Sequence, residues 1–257
     1  MRDISSGFLG SFIFKRTLRR WERLEEFARS ANLANLRDLR ARSVALSQRL
    51  STINHIAETR LTRPVIGSDA MDLPPSTDWS HRPDIWKGPI SPTGYAPAKN
   101  NTRFGDEVTL YHDCKTPNVS LRQVRNHRLN DLAPYGVQLD VFNFEGSFLS
   151  LVLQVPESVT EGLKKKHILR VSLDLTSERP LEMTARLNLK HGPNTEQVSR
   201  TVEQAPEGSE VEFDLAYIPF NETRAEQFWI DIFFESPSMN QVRIHDIVLS
   251  RHPRAEL

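Results

Sequence analysis

The stretch Leu181-Glu182-Met183-Thr184-Ala185-Arg186-Leu187-Asn188-Leu189-Lys190 decides the fold. Apolar and polar residues alternate through it without a break, and successive side chains of an extended strand point to opposite faces. One face is therefore buried and the other wetted, as in an antiparallel sheet with a solvent side. A helix made from the same residues would scatter its apolar side chains around the whole circumference.

The same period runs outward in both directions. Upstream lie Glu107–His112, then Val137, Leu139 and Val141, then Leu149, Leu151, Leu153 and Val155, then Leu169, Val171, Leu173 and Leu175. Downstream follow Val198 and Val202, then Val211, Phe213 and Leu215, then Phe228, Ile230, Ile232 and Phe234, and last Val242 and Ile244. About nine strands separated by Gly, Pro, Asn and Ser turns predict a mainly β chain. The expected fold is an antiparallel, jelly-roll-like β-sandwich over residues 105–257, with a turn at Glu157–Lys165 as its main interruption.

Residues 64–104 form a connector of another kind. Seven prolines (Pro64, Pro74, Pro75, Pro83, Pro89, Pro92, Pro97) exclude a helix interior or a central strand. Trp79, Trp86 and Tyr95 are costly to leave in water, so the segment is expected to lie across the folded domain as an ordered strap.

Residues 1–63 read as a basic helical arm. Leu18, Trp21, Leu24 or Glu25, and Ala28 recur at helical spacing, and Asn32 or Asn35 is placed to cap a second helix. In that helix Leu36, Leu39, Ser43, Leu46, Leu50, Ile53 and Ala57 alternate steps of three and four, the seam of a coiled coil or of an αα-hairpin. The arm carries 13 basic and 6 acidic side chains, although the whole chain is neutral at 33 of each. Overall neutrality argues against nucleic acid as a general partner. The apolar Phe8–Phe14 run followed by Lys15, Arg16, Arg19, Arg20 and Arg23 makes residues 8–57 a candidate surface for self-association or for an anionic membrane.

Hydrophobic residues make up 38% of the chain, and no run reaches the roughly 18 apolar residues of a membrane span. The apolar stretch precedes the basic cluster, the reverse of a secretory signal, and Cys114 stands alone, without a disulfide partner. The expected location is cytoplasmic, with peripheral membrane association through the arm as the variant.

Gly105-Asp-Glu-Val-Thr-Leu-Tyr-His-Asp-Cys114, Gly146-Ser-Phe-Leu-Ser-Leu151, Leu187-Asn-Leu-Lys-His-Gly-Pro-Asn-Thr-Glu-Gln197 and Pro253-Arg-Ala-Glu-Leu257 resemble an alphaproteobacterial domain-of-unknown-function family over nearly the whole chain. That resemblance implies no activity. Phe228-Trp-Ile-Asp-Ile-Phe-Phe234 and Val242-Arg-Ile-His-Asp-Ile-Val-Leu249 are similar to closing strands of galactose-binding-like sandwiches, common in carbohydrate-binding modules. This second resemblance implies a sandwich fold, which hosts many functions.

The densest polar face belongs to the opening strand: Glu182, Thr184, Arg186, Asn188 and Lys190, followed by the Lys190-His191-Gly192-Pro193-Asn194 turn. Trp229, with Asp231 and Phe233 on its own side, supplies an aromatic surface, and Arg170, Ser172 and Asp174 are expected to extend the same sheet. Donors and acceptors beside an aromatic ring suit sugar hydroxyls. The plainer explanation is a wetted face whose charges pair across strands. The candidate ligand residues are Arg170, Arg186, Asn188, Lys190, His191, Asn194, Trp229 and Asp231.

Tyr111-His112-Asp113-Cys114 lacks a second cluster at ligand spacing, and no catalytic residue, metal or cofactor is assigned. His245 and Asp246 adjoin in a strand and face opposite ways unless a bulge intervenes. The leading expectation is a non-enzymatic protein whose sandwich binds a carbohydrate or other polyhydroxylated ligand. The alternatives are a scaffold that assembles or docks through the arm, and an unrecognised hydrolase.

Overall fold

The computed structural model describes residues 8–61, 70–128, 130–205 and 208–254. The chain divides into two compact units between Asn54 and His55. In the first, α1 (Phe8–Ala28) and the start of α2 (Leu33–Leu61) occupy the segments read as helical. Asn32 is the cap: its Oδ1 accepts from the amide of Asn35 at 2.9 Å, satisfying a first-turn donor that has no partner within the helix. No side chain from Lys15 to Ile53 is buried, and Leu18, Phe27, Leu33, Val44, Leu50 and Ile53 are exposed. The side chains of Phe8–Phe14 and Ala57 lie outside the described residues. No described helix is long and apolar enough to cross a membrane.

The second unit is a β-sandwich of two antiparallel sheets. Its strands in chain order are β1 (Trp79–His81), β2 (Gly94–Tyr95), β3 (Thr102–Phe104), β4 (Val108–His112), β5 (Val119–Arg125), β6 (Tyr135–Val141) and β7 (Leu149–Gln154). Then come β8 (His167–Ser177), β9 (Met183–His191), β10 (Asn194–Val202), β11 (Ser209–Asp214), β12 (Ala225–Phe234) and β13 (Asn240–Pro253). The first sheet runs β11-β8-β13-β6-β5-β2, with β1 added to β13, and the second runs β10-β9-β12-β7-β4-β3. Every strand read from alternation is present, because each places its apolar members in the space between the sheets. Leu151, Leu187, Ile232, Leu139, Leu173 and Val242 are 2% exposed or less. The Glu157–Lys165 turn is a 3-10 turn at Glu157–Thr160.

The proline-rich strap is built into the sandwich. β1 pairs with β13 (Trp79 opposite Arg251), β2 pairs with β5, and the short helix α3 (Asp84–Lys87) drives Ile85 and Trp86 into the core. Trp86 is wholly buried, and its indole N–H donates to the carbonyl of Ile244 at 3.2 Å. Trp79 donates to Ser158 Oγ at 3.1 Å, and Tyr95 packs edge-on against Phe104. Arg82 is also wholly buried and grips Asp246 through two bonds of 2.8 and 2.6 Å, with a third to the carbonyl of Ala70 at 2.7 Å. Residues 62–69, where the connector begins, lie outside the described residues.

β13 bulges between Ile244 and Asp246. The extra residue breaks the alternation, so His245 and Asp246 need not face opposite ways. They still do not pair. His245 Nε2 lies 3.0 Å from Thr176 Oγ1, while Asp246 belongs to Arg82.

Candidate functional site: the outer face of the six-stranded sheet

The register of β9, β12 and β7 assembles the site. Trp229 stands directly opposite Asn188 on one side and Gln154 on the other, and Gln197 on β10 stands opposite Asn188. The next row, about 7 Å along the strands, holds Ser199, Arg186, Asp231, Val152 and Thr109. The row after that holds Thr201, Thr184, Phe233, Ser150 and Tyr111. Arg186, Asn188, Lys190, Trp229 and Asp231 thus share one face, as their alternation requires.

The charges on this face are already engaged. Asp231, 4% exposed, takes Arg186 Nε at 2.9 Å, Arg186 Nη2 at 2.5 Å and Asn188 Nδ2 at 3.1 Å. The guanidinium of Arg186 lies over the Phe233 ring, 4.6 Å from its centroid. Lys190 reaches Glu226 at 2.9 Å, and that bond, with the lysine charge, holds the Glu226 carboxyl below its ordinary value. Asn188 is fully buried and supports Gln197, whose amide donates to Asn188 Oδ1 at 2.8 Å. Toward solvent remain a half-buried indole and the amides of Gln154, Gln197 and Gln227, with Gln227 donating to Gln154 at 3.1 Å. Amides carry both donors and acceptors, so the surface around Trp229 is neutral and can bond in either sense.

Three residues expected at this site lie elsewhere. Arg170 is on β8, in the other sheet, bound to Glu212 at 2.7 Å and Glu210 at 3.0 Å on β11, and Ser172 and Asp174 go with it. Alternation reports which face of a strand is wet, and the chain changes sheets between Ser177 and Met183. His191 has the inward parity of Leu187 and Leu189; it is 8% exposed and lies 3.4 Å from Glu196. Asn194 begins β10 beyond the two-residue Gly192-Pro193 turn, where Gly192 takes φ +58°, the conformation that a II′ hairpin asks of its first residue. It is exposed at the rim, away from the Trp229 row.

Among the described strap residues, β1 and β2 join the other sheet and β3 adds to the edge of this one beside β4, so none of these strands lies across the face. At the end of the face beyond Phe233, a depression of about 330 Å³ is lined by Phe144, Ser147, Phe148, Phe233, Glu235 and Ser238, among others. Sequence reasoning missed it because two distant loops make it, at residues 144–149 and 233–238. Asp113 holds the first loop, accepting from the Ser147 amide at 2.7 Å, the Ser147 hydroxyl at 2.5 Å and the Phe148 amide at 3.3 Å. The Ser147 hydroxyl and these amides keep the Asp113 carboxyl below its ordinary value. A Cβ on Gly146 would lie 2.5 Å from Asp113 Oδ1 and 2.7 Å from the Phe144 ring, so a larger residue there would push the Asp113 carboxylate or the Phe144 ring aside. The neighbours of Asp113 act apart, His112 Nε2 lying 3.1 Å from the carbonyl of Ala98 and Cys114 pointing at that of Thr116. Among the described residues no group of three His, Cys, Asp or Glu side chains is placed to hold a metal.

Several solved structures are similar to this chain. The family 11 carbohydrate-binding module from Clostridium thermocellum, in complex with a β-1,3-1,4-mixed-linked tetrasaccharide, matches at 14% identity and a TM-score of 0.38, over 62% of this chain and 96% of that one. The CBM22-1 xylan-binding domain from Paenibacillus barcinonensis Xyn10C matches at 10% identity and 0.34, over 72% and 100%. The enzymatically active domain of bacteriophage CBA120 tailspike protein 4 matches at 8% identity and 0.40, over 60% of this chain but only 21% of that one. No curated protein matches. A family model matches from residue 1 to residue 257, and the chain belongs to the Family of unknown function (DUF6478).

Proposed function

We propose that the outer face of the six-stranded sheet binds a carbohydrate or other polyhydroxylated ligand without chemically changing it. The observation that carries this reading is Trp229, a half-buried indole on the outer face of the sheet, framed by neutral amides while the neighbouring charges are internally paired. An indole offers a flat apolar surface to the C–H faces of a sugar, and amides bond its hydroxyls from either side. Its indole N–H has no partner among the described residues, which suits a ligand oxygen.

The test is titration of a panel of neutral and acidic oligosaccharides, followed by calorimetry. Trp229→Ala is expected to lower affinity at least tenfold, and Gln227→Ala less. A blank across the panel removes the reading.

A second reading is favoured by the exposed apolar side chains of α1 and α2. Helices that bury none of their described side chains gain little from packing within the chain. The seam Leu36, Leu39, Leu46, Leu50 and Ile53 would assemble copies of the protein or dock it on a partner.

A further inference from the structure

The depression beyond Phe233 has a chemistry of its own. Ser147 gives its proton to Asp113 Oδ2 and Ser238 gives its proton to the carbonyl of Phe142 at 3.0 Å. A hydroxyl has one proton and two lone pairs, so with the proton committed each serine offers the depression only acceptor capacity. Ser238 spends one lone pair on the amide of Phe144 at 3.3 Å, and one remains. Glu235 adds an exposed carboxylate with no cationic partner among the described residues. The Arg186 guanidinium, which lies over the Phe233 ring, is paired with Asp231. Phe144, Phe148 and Phe233 are among the lining residues, so aromatic side chains border the carboxylate. The lining thus carries negative charge and includes no Lys or Arg, and of its three serines Ser147 and Ser238 offer only acceptors while Ser236 can still donate.

The loop beneath it is held in an unusual conformation. Ser236 and Met239 both take positive φ, 48° and 54°, though neither is glycine. Such residues cost on the order of 1 kcal/mol each and persist where the surroundings fix them, ligand clamps and switch regions among the places.

We infer that this depression is a subsite for a protonated amine, so that the ligand of the sheet face is an amino-bearing glycan whose ammonium group sits among Glu235, Ser147 and Ser238. An ammonium brings three donors and no acceptor, the complement of the Glu235 carboxylate and the Ser147 and Ser238 oxygens. The inference rests on the sugar-binding reading of the Trp229 face. From Trp229 to Phe233 the strand advances about 13 Å, so one extended oligosaccharide touches both.

The experiment compares two probes of equal length by calorimetry on the full chain: the β-1,4-linked glucosamine tetramer and its fully N-acetylated form. The amine tetramer is expected to bind at least tenfold more tightly at pH 6. Glu235→Gln, an exposed position where a fold defect is not at issue, collapses that ratio toward one, and raising salt narrows it in the parent. Equal affinity for the two tetramers, or an unchanged ratio in Glu235→Gln, overturns the amine subsite and leaves the sugar reading standing. Absence of binding by the amine tetramer also overturns it, whatever the panel of neutral and acidic oligosaccharides shows. The sugar reading falls separately, on a blank panel.

Discussion

Replacing Arg82 by methionine removes one half of the buried pair that ties the strap to β13. Arg82 is wholly buried and Asp246 is 9% exposed, and two bonds of 2.8 and 2.6 Å join them. Methionine fills much of the volume but leaves the carboxylate without a counter-charge. Breaking a buried pair from one side costs about 3–5 kcal/mol. For a unit of roughly two hundred residues, in which 1 kcal/mol moves Tm by about 2–4 °C, the melting point is expected to fall by about 6–20 °C. The loss depends on pH. Burial already holds the Asp246 carboxyl above its ordinary value, although Arg82 pulls it down, and without Arg82 it rises further. A carboxyl raised in the folded state favours folding below its unfolded pKa of about 4, and that contribution disappears as pH rises. The deficit of Arg82→Met is therefore smallest near pH 4 and full near neutrality. The double variant Arg82→Met/Asp246→Leu has no orphaned charge and is expected to recover most of the loss. Urea unfolding and calorimetry of the four proteins close the cycle. A single-variant cost below 1 kcal/mol at pH 7, or additivity of the two substitutions, would refute the reasoning.

Burial holds His245 and His167 below the ordinary histidine pKa, so between about pH 6.5 and their folded values the unfolded chain binds protons that the folded chain refuses. Stability is expected to fall as pH drops from 7.5 to 5.5, a window above the titration of the depressed carboxylates Asp78 and Asp140, and His245→Asn should flatten the slope. An identical slope in parent and variant rejects the assignment. If the α2 seam assembles the protein, light scattering of the full chain gives a mass above one copy, and Leu46→Asp returns it to one; a parent that is already a single copy counts against the scaffold reading.

The sandwich was legible wherever one face of a strand is wet and the other dry. The alternation from Leu181 to Lys190 places Arg186, Asn188 and Lys190 on one face without reference to any other strand. What alternation cannot carry is the identity of the sheet: Arg170 and Arg186 occupy equivalent positions in similar patterns and end on opposite sides of the molecule. Strands with few core residues also escaped notice. β5 buries only Val119 and Leu121, and β2 has two residues. The 245 bulge has no composition cue, since it arises where Asn126 donates to the carbonyl of His245 at 2.7 Å and Gly136 lets the chains approach. A better reading of the site was available in one respect. Gln227 shares the parity of Trp229 and lies two residues before it, while Gln197 follows from the hairpin register, which sets it opposite Asn188.

The way β13 is flanked decides where this protein can be cut. Its Leu249–Arg251 stretch has β8 on one side and only the three residues of β1 on the other. A fragment starting at Gly105 would shed β1, Trp86 and the Arg82 clamp in a single stroke, leaving an indole-sized void and a bare hydrogen-bonding edge. Exposed edges of that kind recruit other chains. Tags, fusions and domain grafts that begin there would yield a template for aggregation, whereas a junction ahead of Ala70 keeps the seam closed.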